Sequence, residues 1–145
     1  RPEIAAAKAN GMGYFPNFGG NPVSAGAGPA VLDVIRDERL MANATARGTQ
    51  LKEGFERLAE RYPLIGDVRG LGLFMGVELV RDRDTLEPAD REIGVIVEAM
   101  KDEGVLLSTE GPHHNVLKIK PPLVISAAEC SRVIDTLDSV LARLG

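Results

Sequence analysis

The chain has 145 residues, of which 44% are hydrophobic and 26% are charged, and its formal net charge is −4. This composition is typical of a soluble globular protein, and the length favours one domain. The acidic balance gives no basic surface field, so we do not expect a nucleic-acid partner. No apolar stretch approaches the roughly 20 residues of a membrane span, so we expect no membrane partner either.

The single cysteine and the first residues of the chain indicate its cellular setting and its origin. One cysteine excludes a disulfide framework and a thiolate metal site, and it predicts a reducing, cytoplasmic setting. The chain begins Arg1-Pro2-Glu3, without an initiator methionine and without a signal peptide. We therefore expect a piece of a longer protein.

The first part of the chain is rich in glycine and proline. Residues 1–29 show no long apolar period, which predicts a linker or a loop that contacts something. Within them, residues 19–22 (Gly-Gly-Asn-Pro) predict a turn. Asn21 is then the cap of a helix, and Pro22 is its first residue. Gly20 would allow a left-handed backbone if the turn required one.

Helical patterning follows this turn. Residues 23–41 are rich in alanine and apolar residues and predict one helix, and a second helix is predicted from Asn43 to the residue before Pro63. Apolar residues at helical spacing form the buried face of the second helix: Leu51, Phe55, Leu58 and Tyr62.

The period then changes to that of strands and back again. Residues 73–80 alternate as in a strand, with a strand or turn over 67–70 before them. A helix is predicted to open at Pro88 and to close at Gly104. Two short strands follow, over 105–107 and 116–119.

The last helix begins at Ser126, with Glu129 completing a capping box. Its predicted apolar face consists of Cys130, Val133, Ile134, Leu137, Val140, Leu141 and Leu144. Helices and strands alternate irregularly along the chain. This order predicts an α+β fold in which helices pack on one face of a small, largely antiparallel sheet.

Most of the chemically interesting residues have a simple structural explanation. Cys130 lies on an apolar face and behaves as a small buried hydrophobe. The pair His113-His114 stands in a loop without further ligands at metal spacing, so we expect no metal site. Residues 81–84 (Arg-Asp-Arg-Asp) predict a solvated loop. The residues alone show no self-contained catalytic site, and we assign no catalytic residue.

Two segments favour ligand contact as well as a structural role. Residues 14–23 combine aromatic side chains, a turn and a helix start, which is either a plain helix entry or an anion site. In residues 116–123, strand alternation places Lys118 and Lys120 on one face, opposite Leu117 and Ile119. The two lysines belong either to a solvated edge or to an anion clamp.

Several motifs, in order along essentially the whole chain, resemble class III aminotransferases, which are fold-type I pyridoxal-phosphate (PLP) enzymes. Residues 17–24 are similar to their Thr-x-Gly-Gly-Asn-Pro motif, and residues 66–74 and 104–107 are similar to their small-domain signatures. Residues 118–123 (Lys-Ile-Lys-Pro-Pro-Leu) resemble their Arg-x-x-Pro-Pro-Leu strand end. The sequence of this segment, together with residues 108–112 before it, is most similar to the ethanolamine-phosphate phospho-lyase branch of the family.

The resemblance implies the C-terminal part of such an enzyme. Residues 1–29 would end the large cofactor domain, 30–62 would be connecting helices, and 63–145 would be the small α+β domain. It implies PLP as cofactor, with the Schiff-base lysine upstream of Arg1, so the chain alone would be inactive. It also implies a homodimer, because this turn reaches the cofactor phosphate of the partner subunit. The cofactor-binding residues carried over are Asn17, Phe18, Gly19 and Gly20.

Two positions depart from the family pattern. Asn17 replaces the phosphate-binding threonine, and it keeps a side-chain donor and its backbone N–H. Lys118 occupies the position of the substrate-binding arginine, and a lysine is a point charge rather than a planar fork. We therefore expect a PLP-dependent transaminase acting on a small-molecule amine, with Lys118 binding substrate. The alternatives are a phospho-lyase that eliminates phosphate from a phosphorylated amine, and a non-catalytic module for anion binding or dimerisation.

Overall fold

The computed structural model describes residues 1–9, 11 and 19–144. These residues fall into two compact units, Arg1–Glu38 and Arg39–Gly145. The first unit contains two helices, α1 (Pro2–Lys8) and α2 (Pro22–Asp37). The elements of the second unit are α3 (Leu40–Arg61), β1 (Ile65–Leu71), β2 (Phe74–Asp82), β3 (Glu87–Pro88), α4 (Glu92–Asp102), β4 (Ser108–Glu110), β5 (Val116–Ile119) and α5 (Ala127–Ala142).

The start of α2 is formed as the sequence predicts. The side-chain oxygen of Asn21 accepts hydrogen bonds from the backbone N–H groups of Val23, at 2.8 Å, and Ser24, at 3.4 Å. Pro22 occupies the first helical turn, where its missing N–H costs nothing. The predicted cap and first residue of this helix are confirmed.

The second unit is built on an antiparallel sheet with the order β1-β2-β5-β4, and β3 pairs with the C-terminal end of β2. Val77 of β2 lies opposite Val68 on one side and Leu117 on the other. Both Val77 and Leu117 are fully buried. The predicted α+β fold with a small antiparallel sheet is confirmed.

The helices α3, α4 and α5 supply the other half of the core. Leu51 and Phe55 of α3 are completely buried, as the helical spacing predicts. The core residues of the strands include Met75, Val77, Leu79, Leu117 and Ile119. Because alternate residues of a strand point to opposite sides, the remaining residues of β2 and β5 lie on the face away from this core.

Side-chain amides fasten α3 to the end of the chain. The Nδ2 atom of Asn43 donates hydrogen bonds to the carbonyl oxygens of Leu123, at 2.8 Å, and Ile125, at 3.0 Å. Gln50 donates to the carbonyl oxygen of Ala127 at 2.9 Å. These bonds hold the segment that follows β5 against the first half of α3.

The predicted break between the first two long helices is wrong by a few residues. We expected helices over 23–41 and from Asn43, but α2 ends at Asp37 and α3 begins at Leu40. Arg39 adopts a left-handed backbone conformation with φ of 52°, which ends one helix and precedes the next.

The predicted helix start at Pro88 is also wrong. Pro88 lies in β3, opposite Val80, and Ala89 then donates to the carbonyl oxygen of Leu79 at 3.1 Å. β3 is a short edge strand that pairs with the end of β2, and a proline without an N–H is tolerated in such a strand. The helix α4 therefore begins only at Glu92.

The strand expected over 105–107 is found at Ser108–Glu110. Gly104 takes a positive φ of 80°, as expected for a residue that closes a helix. The N–H of Val105 then donates to the carbonyl oxygen of Met100 at 2.8 Å. Residues 104 and 105 thus cap α4, and the chain needs a few more residues to reach the sheet.

The capping box of α5 is confirmed, with Ser126 and Glu129 bonded to each other's backbone N–H groups. The predicted face is buried or half-buried through Leu141, but Leu144 lies beyond the helix and is 45% exposed. Its inclusion in the core was wrong. Among the described residues, no helix is both long and apolar enough to cross a membrane.

The burial of Cys130 predicts that its thiol reacts slowly with thiol reagents in the native protein. Its side chain is completely buried, and burial raises the pKa of the thiol. Since the thiolate is the reactive form, a maleimide should label the native protein slowly and the urea-unfolded protein fast. The measurement is the labelling rate by mass spectrometry in both conditions. Equally fast labelling of the native chain would contradict the orientation of α5.

Candidate functional site

The turn predicted to hold a phosphate lies only partly within the described residues. Asn17 and Phe18 fall outside them, whereas Gly19 and Gly20 form an exposed turn directly before α2. Gly20 does not adopt a left-handed backbone, and a Cβ placed on it meets no described atom within 4 Å. The backbone conformation therefore does not require a glycine at position 20. Close approach of a ligand to the backbone is another reason for a glycine there.

The first turn of α2 uses its own hydrogen-bond donors. Val23 and Ser24 donate to the side chain of Asn21, and Ala25 donates to its carbonyl oxygen at 2.9 Å. Pro22 has no N–H group. The chemistry of this set fits a phosphate at the N–H groups of the turn before the helix, rather than at the first helical turn.

Lys118 lies at the centre of β5, on the sheet face away from the helices. It stands between Gly76 of β2 and Ser108 of β4, and its neighbours Leu117 and Ile119 are buried on the opposite face. The side chain of Lys118 is only 29% exposed. Lys120 follows the end of the strand and is exposed. The alternation expected from the sequence is confirmed for this strand.

The ammonium group of Lys118 is bound by a carboxylate that sequence reasoning missed. Its Nζ atom donates a hydrogen bond to Oε1 of Glu110, on the neighbouring strand β4. This bond holds the pKa of the Glu110 carboxyl below its usual value. Glu110 lies opposite Val116, two residues from Lys118 on the same face. The sequence could have indicated this pair through the short strand β4, but we predicted that strand over 105–107, three residues before its actual position.

A second cation on this face is paired as well. Arg69 of β1 lies opposite Gly76, on the other side from Lys118. Its guanidinium donates to Asp67 at 2.7 Å and to Glu78 at 2.5 Å. Between the two cations, the side chain of Val116 packs over Gly76, and a Cβ on this glycine would lie 2.9 Å from Cγ1 of Val116.

An open cavity of about 430 Å³ lies at this part of the outer face. Its lining includes Arg69, Phe74, Gly76, Glu110, Val116 and Lys118. Lys118 also borders a second cavity of about 450 Å³, together with Lys120 and the two prolines that follow. The cation is thus accessible from two sides, in a surface that combines apolar walls with paired charges.

A third cavity, of about 980 Å³, lies between α3 and the turn that joins β1 to β2. Two glycines set its inner wall. A Cβ added to Gly48 of α3 would lie 2.3 Å from the carbonyl oxygen of Gly72. Gly72 itself has a positive φ of 56°, and Gly70 has one of 141°. The glycines at 70 and 72 therefore have a structural reason, and Gly48 allows the backbones to approach.

The remaining candidates have structural partners. Arg81 binds Glu87, Asp90 and Glu92, at distances between 2.7 and 3.0 Å. The loop predicted over 81–84 is wrong in its first half, because Arg81 and Asp82 still belong to β2, and the turn begins only at Arg83. Across the described ranges 1–9, 11 and 19–144, no group of three residues suited to metal binding occurs.

Comparison with known proteins agrees with this arrangement. The profile of the family described as Aminotransferase class-III matches residues 3–141. The chain belongs to the class-III aminotransferase family.

Two curated relatives illustrate the range of the class-III family. The chain is 42% identical over 142 residues to ethanolamine-phosphate phospho-lyase homolog 1 of Caenorhabditis elegans, covering 97% of this chain and 30% of the relative. It is 43% identical over 143 residues to the mitochondrial alanine–glyoxylate aminotransferase 2 homolog 2 of Arabidopsis thaliana, covering 99% of this chain and 30% of the relative. The chain therefore spans about a third of the length of these relatives.

Two solved class-III structures share the fold at full length of this chain. A phospholyase from Arthrobacter in complex with phosphoethanolamine is 37% identical, with a TM-score of 0.89 over 99% of this chain and 34% of that chain. An amine transaminase from an uncultivated Pseudomonas species in its PLP-bound form is 34% identical, with a TM-score of 0.83 over 98% of this chain and 33% of that chain.

The contact between Gly48 and Gly72 predicts a sharp difference between two glycine substitutions. Gly48→Ala should destabilise the chain by about 2 kcal/mol, because its Cβ would meet backbone atoms that cannot move aside easily. Gly94→Ala, in α4, meets no described atom within 4 Å and should stabilise by roughly 0.5–1 kcal/mol. Urea unfolding measures both. Equal effects would contradict the close packing of α3 on the turn.

Proposed function

We propose that the full-length protein containing this chain is a PLP-dependent enzyme that transfers an amino group between an amine and an oxo acid or aldehyde. The observation that carries this proposal is the family match, which extends over residues 3–141. Bound PLP supplies an electron sink for such chemistry. The contribution of this chain is to bind the cofactor phosphate and the substrate, and we assign it no catalytic residue.

Cofactor binding is proposed for the turn before α2. The N–H groups of Gly19 and Gly20, with Asn17 and Phe18, would hold the phosphate of PLP bound to the partner subunit of a homodimer. The absence of a side chain at Gly20 supports this role, since neither its backbone conformation nor its described neighbours require a glycine. The N–H groups of Val23 and Ser24 already donate to Asn21. The start of the helix is therefore stabilised without a ligand.

Substrate binding is proposed for Lys118. This residue stands at the position where the resemblance expects an arginine, at the edge of two cavities. A lysine binds an anion as a point charge and does not form the bidentate contact with which an arginine holds a carboxylate. The substitution favours a phosphate group over an α-carboxylate.

The second candidate function is therefore a phospho-lyase, which eliminates phosphate from a phosphorylated amine. Lys118 is the observation in this chain that favours it, and relatives of both activities are similar to the chain. Family membership argues against the third hypothesis, a non-catalytic module. We also propose a cytoplasmic location, because a chain with a single cysteine is typical of a reducing compartment.

The experiment that tests the function is an absorbance assay on the purified full-length protein. Bound PLP absorbs in the visible range, and a true amine substrate should shift this absorbance. Product analysis then separates the two candidates, because a transaminase yields an aminated acceptor and a phospho-lyase releases inorganic phosphate. A full-length protein that binds no PLP would contradict both.

The role of Lys118 predicts a substrate-dependent loss. In the full-length enzyme, Lys118→Ala should lower kcat/KM for a phosphorylated amine by about 10- to 150-fold, the effect of losing roughly 1.5–3 kcal/mol of charge-assisted contact. The loss should be small for an uncharged amine. Lys101→Ala, on α4, is a control that should change neither. An equal loss for both substrates would make Lys118 a structural residue.

The role of Gly20 predicts weaker cofactor binding. In the full-length protein, Gly20→Val should raise the Kd for PLP by about tenfold, because the added side chain would keep the phosphate away from the N–H groups of the turn, an effect about equal to one lost hydrogen bond to a charged group. Gly26→Val is the matched control, since a Cβ at either glycine meets no described atom within 4 Å. Kd is measured by absorbance titration. Identical affinities in the two variants and the wild type would return the turn to a plain helix entry.

A further inference from the structure

The ion pair on the outer sheet face places the Glu110 carboxylate against the ammonium group of Lys118. Glu110 is attached to the same sheet as Lys118 and bonds its ammonium group directly. The Glu110 side chain is 56% exposed, whereas that of Lys118 is 29% exposed. The carboxylate can therefore turn into solvent, while the ammonium stays at the edge of the cavities.

The surroundings keep Glu110 ionised. The hydrogen bond from Lys118 lowers its pKa most, and the charges of His114 and Lys120 act in the same direction. The other cation of the cavity, Arg69, is occupied by Asp67 and Glu78. At neutral pH an incoming anion thus finds the charge of Lys118 already neutralised by a single carboxylate.

We propose that Glu110 is a specificity-determining residue, which competes with anionic substrates for Lys118. The proposal rests on the substrate-binding role of Lys118 proposed above. Displacing Glu110 costs the same for every anion and nothing for an uncharged amine. Glu110 thereby lowers the preference of the site for anionic amines over uncharged amines, and it leaves the preference between a phosphate monoester and a carboxylate to Lys118 itself.

The test is the Glu110→Gln variant of the full-length enzyme loaded with PLP. Surface ion pairs contribute about 0.2–1 kcal/mol, so KM for a phosphorylated amine and for an amino acid should each fall by the same factor, about 1.4- to fivefold. KM for an uncharged amine and all kcat values should stay unchanged. Glu110→Asp, which keeps the charge, should retain wild-type KM values. Glu103→Gln is the control, because Glu103 pairs with Arg143, 3.1 Å away, and lies outside the cavity linings given above.

A double variant separates this proposal from the one on which it rests. In the Lys118→Ala background, Glu110→Gln should lose most of its effect on KM for anions. A Lys118→Ala enzyme with unchanged preference for anionic substrates would overturn both proposals. If Lys118→Ala removes that preference but Glu110→Gln changes KM for no anion, or changes KM equally for charged and uncharged amines, only the role of Glu110 is overturned.

Discussion

The two-residue period of β2 and β5 determines where charge can lie in the second unit. Because α3, α4 and α5 occupy one face of the sheet, every second residue of these strands must be apolar. The residues between them are left on the outer face, and they include Lys118 and Gly76. One-sided burial thus creates both the stability of the sheet and the surface on which a ligand could be bound.

The two cations of that outer face, Arg69 and Lys118, are both paired with carboxylates of the same sheet. Arg69 bonds two carboxylates and Lys118 bonds one, all of them from the sheet. Such pairs add little stability where water screens them. Their importance is in recognition, because a ligand must exchange partners with a charge already in place. Specificity at this surface is then a difference between two interactions with the same ammonium group.

Local signals in the sequence predicted much of the fold. The capping box at Ser126, the cap at Asn21 and the burial of Leu51 and Phe55 depend on neighbouring residues, and the structure confirms each of them. The errors occurred where distant residues decide. The placement of Pro88 depends on pairing with β2, which lies earlier in the chain.

Part of the candidate site could be derived in the same way. Strand alternation placed Lys118 on the correct face, but its partner Glu110 belongs to another strand, and its contact depends on the register between them. Neither the spacing of residues nor the composition predicts the register between β4 and β5. The buried Asn115, whose side chain donates to the carbonyl oxygen of Leu79 at 2.8 Å, escaped prediction for the same reason.

Arginine at position 83 has a further consequence for the fold. Its guanidinium donates to four carbonyl oxygens at the end of α3 and the start of β1, those of Ala59, Tyr62, Pro63 and Ile65. The carbonyl of Ala59 lies in the last turn of α3, where a helix leaves its carbonyls without an N–H partner, and the positive charge offsets the negative end of the helix dipole. A lysine has the charge but not the planar array of five donors. The corner between helix and sheet therefore depends on the shape of one side chain as much as on its charge.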